Sequence, residues 1–86
     1  MTFDQFVLAI DEQLKTAVRL PYGLYQGPHV AFWHAGAFTA RVRAGAQDDA
    51  ELTLVSEDDV VGEPLRARCE AEAAARFATA IGGMLV

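Results

Sequence analysis

Residues 30–44 read VAFWHAGAFTARVRA, and the fold turns on how this stretch is read. Phe38, Ala40 and Val42 alternate with Thr39, Arg41 and Arg43, the period of a strand with one face in a core and the other in water. Residues 30–34 precede it as another strand, and Ala35-Gly36 between them is short enough for a hairpin. Gly45 to Asp49 supplies a second turn, after which residues 50–56, AELTLVS, read as a third strand. Short turns between successive strands predict an antiparallel meander.

On either side the period becomes helical. Phe3, Phe6, Val7, Ile10, Leu14 and Val18 recur at spacings of three and four, which predicts a helix over residues 3–19 with one apolar stripe. Thr2 and Gln5 fit a capping box, Met1 and Phe6 a hydrophobic staple, and Leu20-Pro21 ends the run. Residues 21–29, PYGLYQGPH, combine two prolines and two glycines with Tyr22 and Tyr25 and read as an ordered loop. Residues 57–64, EDDVVGEP, read as a polar connection. Pro64 suits the first turn of a second helix that carries Leu65, Cys69, Ala73, Phe77, Ala80, Ile81 and Met84 and exits at Gly82-Gly83. The expected fold is α+β, in the order helix, three-stranded antiparallel meander, helix (αβββα), with both helices on one sheet face. A single small domain spans residues 1–86.

Seven Lys and Arg stand against twelve Asp and Glu, a net charge of −5, so the mean field repels nucleic-acid backbones and anionic lipid and neither is an expected partner. The longest nearly uncharged apolar stretch, residues 77–86, is half the length of a bilayer-spanning helix of about 20 residues. One cysteine, Cys69, cannot form an internal disulfide, and the N-terminal residues lack the pattern of a secretory signal, so a reducing, cytoplasmic setting is expected.

The order helix, three strands, alanine-rich helix over residues 3–83 resembles the topology of double-stranded RNA-binding domains. In that family the second helix opens with a lysine cluster that grips phosphates. Here the corresponding residues are Glu63, Pro64, Leu65, Arg66, Ala67 and Arg68, and two arginines beside an acidic loop argue against that activity.

No constellation fixes a reaction. His29, His34 and Cys69 are too few for a closed zinc site, and no cofactor or metal is expected. The spacing of Cys69 from Leu65 and Phe77 reads as an ordinary buried cysteine. Seven acids fall between Asp48 and Glu63, but a strand of roughly six residues separates Asp48 and Asp49 from Asp58 and Asp59 by roughly 20 Å, and the run lacks the pattern of a calcium loop.

What remains is the first strand, apolar at the consecutive positions Val30, Ala31, Phe32 and Trp33 and therefore on both faces. Depending on the register of the first turn, either Phe32 or Trp33 faces away from the core beside Thr39, Arg41 and Arg43. Aromatic and arginine side chains are enriched at binding hot spots. The sequence therefore reads as a small acidic, non-enzymatic protein-interaction module, with an interaction face of Phe32, Trp33, His34, Thr39, Arg41 and Arg43 flanked by Tyr22 and Tyr25. Its partner would be another protein or a second copy of the chain. An adaptor, a self-associating subunit or an inhibitor of the kind phages and mobile elements carry all fit. The alternative is a small-ligand or catalytic protein using His34, Arg41 and the loop tyrosines.

Overall fold

The computed structural model describes residues 1–85 as an α+β fold with two helices and a six-stranded antiparallel sheet. Helix α1 is Phe3–Ala17. The strands are β1 (Gly23–Gln26), β2 (Val30–Ala35), β3 (Phe38–Ala44), β4 (Asp49–Ser56), β5 (Asp59–Val60) and β6 (Leu65–Arg68), and helix α2 is Ala71–Leu85.

Helix α1 starts as its first residues dictate. The Thr2 hydroxyl accepts from the Gln5 amide at 3.1 Å, and the Gln5 side chain accepts from the Thr2 amide at 2.9 Å, so two amides left without helical partners are satisfied reciprocally. Val18 turns to extended geometry and caps the helix, which leaves Arg19 outside it.

The meander of β2, β3 and β4 is present, but the sheet has twice the expected number of strands. The prolines of the 21–29 segment lie outside the four residues of β1, so none of them removes an amide from the β1–β2 ladder, and β1 pairs with β2 as an edge strand. The 57–64 segment contains β5, reached from β4 by a tight turn in which Glu57 and Asp58 both have positive φ, at 52° and 68°. Residues 65–68, expected as helix, form β6 instead. Leu65 and Ala67 face one way and Arg66 and Arg68 the other, a period of two.

Both β5 and β6 lie along the free side of β4. Val55 pairs with Val60, whereas Leu52 pairs with Leu65, so the chain bulges outward by two residues around Gly62, whose φ of +69° suits glycine. The first hairpin turn is Gly36-Ala37 rather than Ala35-Gly36, and Ala35 pairs with Phe38. It is a two-residue turn, which settles the register that the sequence left open: Ala31 and Trp33 from β2 face inward with Phe38, Ala40 and Val42 from β3.

Both helices lie on that inward face. Phe6, Val7, Ile10 and Leu14 from α1 and Ala73, Ala74, Phe77, Ala78, Ile81 and Leu85 from α2 close one core with Ala50 and Leu52 of β4. Phe6 and Phe77 meet edge to face with ring centroids 5.3 Å apart. Helix α2 starts six residues later than expected and continues through Gly82 and Gly83. Gly82 is buried within the helix on the side of α1, where an added methyl group would make ordinary contacts of 3.7 Å with Leu14 and Val18. Leu65 is 44% exposed on its strand and does not belong to the core stripe.

One charged group enters this core. Asp11 lies on the apolar stripe of α1 between Val7 and Leu14 and is only 6% exposed. Its Oδ1 accepts from the Trp33 indole at 3.1 Å and from the Tyr22 hydroxyl at 2.8 Å, and its Oδ2 lies 3.3 Å from the Lys15 ammonium. A buried carboxylate persists only with such partners, and two of them, Trp33 and Tyr22, join α1 to β2 and to the segment that leads into β1.

Phe77→Ala is expected to cost about 3–5 kcal/mol, close to the whole stability of so small a domain, and chemical denaturation would read it. Gly83→Ala separates a continuous helix from a helix exit. No atom lies within 4 Å of the added methyl, so a continuing helix gains about 0.5–1 kcal/mol, whereas a left-handed exit residue loses stability.

Candidate functional site

With both helices on one side, the other face of the sheet has no covering element among the described residues, and alternation along each strand sets its content. The pairing places side chains in rows across the strands. Tyr25, Phe32, Arg41 and Thr53 form the central row. His34, Thr39, Val55 and Val60 form the row on one side, and Val30, Arg43, Glu51 and Arg66 the row on the other. Asp49 and Arg68 follow beyond them.

The expected site residues divide between the two faces. Phe32, His34, Thr39, Arg41, Arg43 and Tyr25 lie on the open face. Trp33 does not. It is fully buried, because an indole that donates to a buried carboxylate has its polar atom satisfied inside. Tyr22 also belongs to the core side, with its hydroxyl on Asp11. The 21–29 segment does not fold over the open face. As β1 it widens that face by one strand and adds Tyr25, which is 60% exposed with its ring 6.1 Å from that of Phe32.

The charged groups differ in their partners. Glu51 is shared by Arg43 at 3.3 Å and Arg66 at 2.8 Å, across three neighbouring strands. Arg41 and Arg68 have no carboxylate within salt-bridge distance among the described residues. The Arg41 Nε is closed off from water and has no acceptor. At the far end of the central strands, the His34 ring lies across Gly23, so close that a side chain at Gly23 would displace it.

His34, Arg41 and the two tyrosines do not converge on a cavity. Three depressions of about 490, 490 and 470 Å³ indent the surface, and neither His34 nor Arg41 lines any of them. The first lies beside the β3–β4 loop and is lined by Arg43, Glu51, Arg66 and Arg68 among others. Cys69 is buried on the core side, away from His34, and burial together with the nearby Asp48 pushes its thiol pKa up, which disfavours the reactive thiolate. No group of three or more His, Cys, Asp or Glu among the described residues is placed to hold a metal ion. No helix of the described residues is long and apolar enough to cross a membrane. Asp48–Asp49 and Asp58–Asp59 stand at opposite ends of β4, too far apart to act as one cluster.

Three residues were not among the expected site residues. Arg66 and Arg68 reach the open face only because residues 65–68 are a strand, a fact signalled by their alternation with Leu65 and Ala67. Asp11 was signalled by its position on an otherwise apolar stripe.

Comparison with protein-family models, with curated proteins and with solved structures finds no match to this chain.

Burial pushes the Tyr22 hydroxyl up to about 12, and its bond to Asp11 and the charge of Asp11 act in the same direction. Since the unfolded hydroxyl titrates near 10.0, this contribution to stability is intact below pH 10 and is lost as the pH rises through about 12. Tyr22→Phe should lower stability at neutral pH by roughly 1.5 kcal/mol, the low end for a hydrogen bond to a charged group, and should flatten the alkaline limb. Denaturation midpoints followed from pH 8 to 12 for both proteins check this; equal alkaline limbs would separate Tyr22 from the effect.

Proposed function

We propose that the chain is a non-enzymatic protein-interaction module that binds through the open face of its sheet. One observation carries this reading. A face of five strand positions, about 20 Å across, has no covering element among the described residues and holds an aromatic pair, the exposed Tyr25 against the half-buried Phe32, next to Arg41, which makes no salt bridge. Aromatic rings and arginines dominate interface energetics because they combine large apolar area with directed hydrogen bonding at low entropic cost. The dimensions suit a small protein footprint.

Edge-to-edge association competes poorly with use of the face. The β1 edge is four residues long and bracketed by Pro21 and Pro28. The opposite edge is broken between β5 and β6 by the bulge that contains Glu63 and Pro64. Short edges, prolines and bulges are the devices that discourage strand addition.

The test is affinity capture from the native host with three versions of the protein. Tyr25→Ser should remove a specific partner that the wild type retains, with a stability change of less than about 0.5 kcal/mol, as is usual for exposed positions. Leu8→Ser, at a 55% exposed position on α1 and so on the helical layer, should retain it. A partner lost with Leu8→Ser and kept with Tyr25→Ser would move the binding surface to the helices and overturn the reading.

A further inference from the structure

The distribution of charge over the fold says what kind of partner the open face takes. Arg41, Arg43, Arg66 and Arg68 project from it, four of the seven basic residues, whereas only Asp49 and Glu51 of the twelve acidic residues do so. The face therefore carries a formal excess of two positive charges on a chain whose net charge is −5. Glu51 engages Arg43 and Arg66, whereas Arg41 and Arg68 make no salt bridge among the described residues, although Asp49 is the cross-strand neighbour of Arg68. The unpaired, dry Nε of Arg41 is a donor that the described residues leave without an acceptor, and an isolated donor of this kind is costly until one arrives. The depression of about 490 Å³ that adjoins this row is lined by three arginines, Arg43, Arg66 and Arg68, against two carboxylates, Asp49 and Glu51, and so keeps a net positive lining for a second acidic side chain.

We infer that the open face binds a short acidic segment of another protein, one that sets a carboxylate on Arg41, a second among Arg43, Arg66 and Arg68, and an apolar side chain on Tyr25 and Phe32. This rests on the reading of the face as a protein-binding surface and adds the chemistry of the partner. Guanidinium groups accept carboxylates with paired, charge-assisted hydrogen bonds, and the adjoining rings supply the apolar contact.

A second copy fits the face less well. Two copies related by a two-fold axis would set the same arginine-rich surface against itself, and a head-to-tail arrangement on the acidic remainder would build a ring or an open filament rather than a simple dimer. A nucleic acid fits less well too, because the face is bordered by Asp48 and Asp49 at one end of β4, by Glu57, Asp58 and Asp59 at the other, and by Glu63 at the bulge. A long polyanion crossing the face meets that border, whereas a short segment stays inside it.

The probe is a synthetic peptide with phenylalanine and two glutamates at every second position, separated by serines, so that all three side chains share one side of an extended segment, titrated into the isotopically labelled chain and followed by amide chemical shifts. The glutamine version of the same peptide, oligothymidylate and a protein dilution series serve as comparisons. Perturbations should be confined to Tyr25, Phe32, Arg41, Arg43, Thr53, Arg66, Arg68 and their neighbours. Arg41→Gln should weaken binding about tenfold, and Arg76→Gln, on α2, should leave it unchanged. Equal binding of the glutamate and glutamine peptides overturns the acidic specificity while leaving the protein-binding face in place. Failure of both peptides, with a host partner still lost in Tyr25→Ser, has the same meaning. Failure of both with no such partner removes the face as well. Tighter binding of oligothymidylate, or self-association that Arg41→Gln abolishes, replaces the acidic segment with a nucleic acid or a second copy and overturns the inference.

Discussion

The buried carboxylate of Asp11 governs how this molecule is put together. The strand β2 is apolar on both sides, so hydrophobicity alone would let either Ala31 and Trp33 or Val30 and Phe32 face the helices. The two choices differ in polar chemistry. Burying Trp33 places an indole N–H in the core that must find an acceptor, and Asp11 provides it at 3.1 Å. The same carboxylate accepts from Tyr22, which fixes the segment entering β1, and is neutralised by Lys15 one helical turn further on. Without Trp33 and Tyr22 its Oδ1 would be a buried acceptor with no donor and only Lys15 would offset the charge, and without it they would lose the acceptor for their own polar groups. Each member therefore requires the others.

From that choice the outer surface follows. With Trp33 inside, alternation puts Phe32 outside, and the pairing of Phe32 with Tyr25 and Arg41 builds the central row of the open face. The arginines of β6 join it because Leu65 and Ala67 take the inward positions opposite Leu52 and Ala50. The polar network in the core and the candidate binding surface are two sides of one strand.

Much of this was legible in the chain, and the misses have physical causes. The capping box of Thr2 and Gln5 and the period of β3 were readable because each depends on residues close in sequence, whereas the register of the first turn was open because β2 is apolar on both sides. The strand β1 was obscured by Pro21, Gly23, Gly27 and Pro28, which signal irregular backbone but here sit at the ends of the paired stretch, with Gly23 making room for His34. The period of residues 65–68 was submerged in the alanine-rich run that follows, since leucine, arginine and alanine are all good helix formers. Gly82-Gly83 looked like an exit because glycine is a poor helix former, but burial of Ile81 and Leu85 on either side of the pair outweighs a local preference of about 1 kcal/mol per residue. On the open face, Tyr25, Arg66 and Arg68 depend on strand pairings that no short stretch of sequence announces.

The contact between Phe6 and Phe77 joins the first helix to the last. The hairpins of the sheet connect neighbours in sequence and can form early, yet their inward side has only half its cover until α2 is available. During synthesis the ribosome must therefore release almost all of the described chain before the core can close, and until then the indole of Trp33 and the inward side chains of β3 remain open to chaperones and to misassembly. Closure depends on contacts between distant parts of the chain, so folding should be slower than in a helical bundle of the same length.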